Sequence, residues 1–202
     1  LRLMPKTMGQ LAIVQFFTWL ALFSMWIYAT AAITSHVYGT SDTTSLAYNN
    51  GADWVGVLFG VYNGAAALFA FLLPVLAKRT SRKITHSIAL VAGGLGLCSI
   101  ILIKDPNLLI IPFVGIGLAW GSILSMPYAI LTGSIPQTKM GVYMGIFNFF
   151  IVIPQILAAT ILGFLTVKVF GGNAVYALIF GGVSMLIAAI SVLFVHDVDD
   201  KK

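Results

Sequence analysis

Apolar residues run through this 202-residue chain in six long stretches, 10–33, 54–77, 84–103, 108–132, 142–167 and 174–195, each bounded by charge, proline or clusters of Gly, Ser, Thr and Asn. A helix needs about 20 mostly apolar residues to cross a bilayer, so every stretch is long enough to span one. None shows the roughly ten-residue alternation of a membrane barrel strand, and a lipid-exposed backbone that is not a barrel satisfies its polar groups inside helices. The pattern predicts an all-α membrane protein with six transmembrane helices.

Composition sharpens this reading. With 59% hydrophobic and 8% charged residues, the chain is far from the roughly 25% charged of soluble domains, which excludes a water-soluble globule. A net charge of +5 is compatible with nucleic acid, but no basic block is interleaved with aromatics, and the charge is explained by topology. Arg2, Lys6, Lys78, Arg79, Arg82, Lys83, Lys139, Lys201 and Lys202 fall on one side of the predicted membrane, and Lys104 and Lys168 on the other. The positive-inside bias then places both ends in the cytoplasm, Thr34–Asp53 as an external loop and Gly133–Gly141 as an internal one. The lone Cys98 excludes an internal disulfide and any multi-cysteine metal site. No signal peptide is visible, and the opening Leu1-Arg2-Leu3-Met4-Pro5-Lys6 reads like a linker inside a longer protein.

Polar residues inside the stretches are few and patterned. Asn148 and Gln155 are seven residues apart and lie within about 20° on one helical face. An amide in lipid needs a partner, so the pair either contacts a ligand in an aqueous cavity or bonds another helix or the backbone freed by Pro154. Gln15, Trp19, Leu22 and Trp26 form one stripe of the first helix; an aromatic platform beside an amide suits a sugar, whose apolar C–H faces sit next to hydroxyls, although Trp also anchors membrane interfaces. In the second helix Tyr62 and Asn63 lie beside Gly56, Gly60 and Gly64, a spacing of small residues that predicts close helix packing. The fourth repeats the device with Gly117, Gly121 and Ser125, flanked by Trp120 and the helix-interrupting Pro127. The third and sixth helices carry no mid-span Asn, Gln, Trp or charge, and are read as peripheral and lipid-facing.

All six acids, Asp42, Asp53, Asp105, Asp197, Asp199 and Asp200, fall in predicted loops or at helix ends. Asp53 is either the N-cap of the second helix or part of an outer gate. His36, His86 and His196 are widely separated and read as solvated or interfacial, without metal-ligand spacing. There is no phosphate-binding Gly loop, nucleophile elbow or catalytic dyad, so neither an enzyme nor a cofactor is expected.

The segments Gly145-Ile-Phe-Asn148-Phe-Phe-Ile151-Val152-Ile153-Pro154-Gln155, Phe170-Gly171-Gly172-Asn173 and Ser125-Met-Pro127-Tyr128-Ala129, with Thr18-Trp19-Leu20-Ala21 in the first helix, resemble the second half of the sucrose and α-glucoside proton symporters of the major facilitator superfamily. The resemblance implies two inverted three-helix repeats forming the C-terminal half of a transporter, with a missing N-terminal six-helix half closing a central site. It implies Asn148, Gln155, Gln15, Trp19, Asn63 and Trp120 at the sugar, and Asp53, Pro127, Pro154, Arg79, Arg82 and Lys83 in gating. In the short loop where the superfamily carries Asp-Arg-x-Gly-Arg-Arg, this chain reads Lys78-Arg79-Thr80-Ser81-Arg82-Lys83, so the acid of the gating bridge is absent. Ala29-Thr30-Ala31-Ala32 stands where plant members carry acids, which points to a bacterial-type member in an inner membrane. Intramembrane acids are the usual proton relays, so the coupling residue is expected in the missing half. The alternative reading is a six-helix channel or scaffold in which glycine stripes only pack and amides only bond helices.

Overall fold

The computed structural model describes residues 4–199; Arg2, Asp200, Lys201 and Lys202 lie outside them. Six helices are long and apolar enough to cross a membrane, and no strand occurs among the described residues. The first two spans are α1 (Lys6–His36) and α2 (Leu46–Arg79), and the third is α3 (Arg82–Ser99), which continues through a 3-10 turn at Ile100–Leu102. The fourth span, Pro106–Thr132, enters through a second 3-10 turn and is built from α4 (Ile110–Ile123) and α5 (Met126–Thr132). The last two are α6 (Met140–Lys168) and α7 (Val175–Leu193).

Local chemistry sets these boundaries. The hydroxyls of Ser45 and Ser81 accept from the amides of Tyr48 and Ile84 and cap α2 and α3. Pro127, at the start of α5, has no N–H to donate and follows the break at Leu124–Ser125, which separates α5 from α4. Beyond α6, Gly171 and Gly172 take φ values of 59° and 81°, which a side chain disfavours, and turn the chain into α7.

Burial divides the spans into two groups. In the most apolar window of α1, α3, the α4–α5 span and α7, between 50% and 56% of residues are buried, against 22% in α2 and in α6. The pattern is repeated: in each set of three consecutive spans, the middle one is the exposed one. The core joins α1 to α7 and α6, α3 to α4 and α7, and α2 to α4. Leu22, Met25, Phe113, Ile116 and Phe147 are among its fully buried side chains.

Three sequence expectations are corrected here. The third and sixth spans are not peripheral, because their glycines let backbones touch. A Cβ on Gly96 would stand 2.7 Å from the Pro112 carbonyl oxygen, and one on Gly182 2.7 Å from that of Gly94. The second span does not start at Trp54: α2 begins at Leu46, its N-cap is Ser45, and Asp53 is an exposed residue two turns inside. Packing of Gly51 against Thr34 and Tyr38 holds this polar first part helical. The Gly56, Gly60 and Gly64 stripe packs against nothing, since a Cβ at any of them meets no atom within 4 Å. The stripe in α4 does pack: Gly117 lies against the Tyr62 carbonyl, and a Cβ on Gly121 would be 2.8 Å from that of Ala66.

Candidate functional site

An aromatic cluster joins α1, α2 and α4. Trp120 of α4 meets Trp26 edge-on with ring centroids 5.5 Å apart and Trp19 at 6.0 Å, and Trp19 and Trp26 themselves are 6.2 Å apart. Tyr62 of α2 completes the group at 6.5 Å from Trp120. Its hydroxyl accepts from Trp26 Nε1 at 3.4 Å. Edge-to-face contacts of this kind add about 0.5–1.5 kcal/mol per pair beyond burial, so the cluster fixes the three helices relative to one another. Trp26 was expected only as part of the first helix's stripe, and Tyr62 was not expected at a site. The Trp19–Trp26 spacing was visible in the sequence, but the contact with Tyr62 depends on how α2 crosses α1.

Two hydrogen-bond donors in this region are left over. Gln15 is fully buried; Thr18 Oγ1 donates to its Oε1 at 3.4 Å, while Gln15 Nε2 has no partner among the described residues. One turn on, Trp19 Nε1 is likewise buried and unpaired. Stranding a buried donor costs about 1–3 kcal/mol. Two on one helix at i and i+4 form a place where acceptor oxygens can be taken up.

The other expected ligand residues stand at the edge of open helix faces. On α6 the buried positions Phe147, Pro154 and Ala158 form the packed stripe, and Asn148 and Gln155 lie about 80–100° round from Phe147. Gly145 and Gly163, still further round, meet no atom within 4 Å of an added Cβ. Asn148 is exposed, Gln155 is half-buried, and neither hydrogen-bonds within the described residues. Phe147, next to Asn148, belongs to the same buried cluster as Trp19 and Tyr62 and meets Tyr128 of α5 at 5.5 Å. On α2, Asn63 is exposed about 80° from the packed Val55, and its Nδ2 donates back to the Phe59 carbonyl at 2.8 Å. The second helix of each triplet therefore has the same plan, with a packed stripe, an amide at its edge and an open glycine face.

The expected gating residues separate. Arg82 leads α3 and ties three elements together: it pairs with Asp197 beyond α7, donates to Asp199 Oδ2 at 2.9 Å, and donates to the Ala129 carbonyl of α5 at 3.0 Å. A cavity of about 250 Å³ opens here, lined by Lys78, Thr80, Ser81, Arg82, Asp197 and Asp199. The carboxylate that Arg82 meets thus comes from beyond α7, 115 residues on. Arg79 is exposed at the end of α2, and Lys83 is half-buried beside Arg82. Pro127 breaks the fourth span, whereas Pro154 lies buried within a continuous α6. Asp53 makes no ion pair among the described residues.

His86 corrects another expectation. It is fully buried rather than solvated, with Nδ1 2.7 Å from Ser122 Oγ across the α3–α4 contact. No cluster of His, Cys, Asp or Glu could hold a metal among the described residues. In the α1–α2 connection, the Thr44 hydroxyl and amide donate to Asp42 at 2.7 and 2.9 Å and hold its carboxyl below the usual range. Asp42 is an ordering group for that turn, remote from the apolar middle of the bundle.

Comparison with curated proteins gives no match. The sequence model of the Major Facilitator Superfamily matches residues 11–202. Six membrane-length helices, repeated burial of the two triplets and a family match over nearly the whole chain lead to one conclusion: this chain belongs to the Major Facilitator Superfamily of membrane transporters.

Proposed function

We propose that the chain is the C-terminal six-helix half of a secondary active transporter that carries a small sugar, sucrose, maltose or a related glycoside, in symport with protons. It works by alternating access, rocking against an N-terminal six-helix half across the open faces of α2 and α6. The observation that carries this reading is the pair of buried, unpaired donors Gln15 Nε2 and Trp19 Nε1 beside the tryptophan cluster. Sugar hydroxyl oxygens accept such donors, and the indole rings match apolar sugar faces. Asn63, Asn148 and Gln155 add amides at the rims of the two open faces, and Trp120 contributes to the platform. Both ends lie in the cytoplasm of a bacterial cell, with the Lys78–Lys83 and Lys139 side inward.

The test uses the full-length protein in proteoliposomes. Losing one bond to a sugar hydroxyl costs about 0.5–1.5 kcal/mol, so Asn148→Leu and Gln155→Leu each weaken apparent sugar affinity several-fold while expression is maintained. A leucine variant with unchanged affinity and transport would move that residue from ligand contact to packing. A channel or scaffold predicts passive, unsaturable flux that neither change affects.

A further inference from the structure

α1 ends at His36 against the connection between α3 and α4, at the end of the bundle opposite the Arg82 cluster. Lys104 Nζ donates to the His36 carbonyl oxygen at 2.9 Å and lies 3.2 Å from His36 Nδ1. An ammonium group has only donors, so the nitrogen it faces is an acceptor. The ring is therefore neutral, with its proton on Nε2, which is buried; the Ile101 backbone is the polar group beside the ring. A second proton would put an N–H on Nδ1 opposite the ammonium, replacing a hydrogen bond with two facing donors and two like charges. No carboxylate among the described residues lies within 4 Å of the ring to offset them. Asp105 on the same connection is engaged by the Asn107 amide at 2.9 Å, and Asp42 by Thr44. Tyr38 and Tyr48 on the α1–α2 side, Asp53 of α2, and Lys168 and Tyr176 at the α6–α7 turn do not hydrogen-bond to the ring.

The same connection has a second tether that does not titrate: Trp54 Nε1 of α2 donates to the Pro106 carbonyl at 2.8 Å. One attachment is thus fixed, and the other pairs the His36 carbonyl bond with a contact to a ring whose ordinary pKa of about 6.5 falls inside the physiological range, so that ring protonation sets Lys104 Nζ against a like charge and weakens both. We propose that His36 and Lys104 form a proton-sensitive latch, which holds the end of α1 to the α3–α4 connection at neutral pH and releases it when the ring is protonated. α1 carries Gln15, Trp19 and Trp26, so release frees the helix that bears the unpaired donors. The latch stands apart from the identity of the transported molecule.

The experiment places spin labels at Ala31→Cys and Leu108→Cys in a Cys98→Ala background of the full-length protein in nanodiscs, and reads their separation by pulsed electron resonance at pH 8 and pH 5. Should Cys98→Ala fail to fold, Cys98→Ser carries the same labels. The latch predicts a narrow distribution at pH 8 that lengthens or broadens at pH 5. His36→Asn supplies an acceptor oxygen near the Nδ1 position that does not titrate, so its distribution stays narrow at both pH values. Lys104→Met gives the open distribution at both. An unchanged distribution in the parent, a pH response that persists in His36→Asn, or a narrow distribution in Lys104→Met would each overturn the proposal.

Discussion

At the residue scale, the Arg82 cluster carries the clearest energetic consequence. The Asp197 side chain is 1% exposed and that of Asp199 61%, so the two acids are not equivalent partners. Removing the buried member of an ion pair costs about 3–5 kcal/mol, whereas an exposed one contributes about 0–1 kcal/mol. Asp197→Asn is therefore expected to lower the unfolding temperature of the purified protein markedly and Asp199→Asn to leave it within error; equal effects from the two would contradict the geometry. Ser122→Ala removes the partner of the buried His86 Nδ1, and the stranded ring nitrogen is expected to cost about 1–3 kcal/mol in the same measurement. Neither pairing was legible in the sequence. The basic loop was recognisable, but its acid lies beyond the last helix, and nothing in the spacing of His86 and Ser122 marks them as neighbours. Gln15 and Trp19 were legible as a stripe; that their donors are buried and unpaired was not, because burial is decided by the helices packed around α1.

Small residues decide packing at the scale of elements, and a sequence shows the stripe without showing what it meets. Gly117 and Gly121 touch α2, while Gly60 and Gly64 face open space, although all were equally visible as repeats. The glycines of α3 and α7, helices that carry no mid-span Asn, Gln, Trp or charge, make some of the closest backbone contacts. Two substitutions separate these roles. Gly182→Leu pushes a side chain into the Gly94 carbonyl and Cys98 and is expected to abolish the monodisperse, folded protein in detergent. Gly60→Leu meets nothing within this unit, and is expected to preserve the folded yield while impairing transport by the full-length protein, because the open face is where the second half would lie. Normal transport in Gly60→Leu would remove α2 from that interface.

For the whole molecule, the six helices and their order were readable from hydropathy alone, since lipid leaves the backbone no alternative. The ends of the helices were not, because tertiary contacts such as Gly51 against Thr34 and Tyr38 extend helices through polar sequence. Asp42 and Asp105 are engaged in turn hydrogen bonds and Asp199 in the Arg82 cluster. Changing each to asparagine is expected to leave substrate-driven proton influx unchanged; loss of influx with retained sugar exchange in any one of them would place coupling in this half.

The central claim is that these six helices carry sugar only in concert with a second six-helix half, driven by a proton gradient. Its most direct test is the uptake of labelled sucrose and maltose into vesicles under an imposed proton gradient, comparing the full-length protein with this six-helix unit alone. Saturable accumulation that collapses with the gradient is expected for the full-length protein, and uptake no greater than empty vesicles for the unit alone. Accumulation by the unit alone, or flux through the full-length protein that neither saturates nor responds to the gradient, would contradict it.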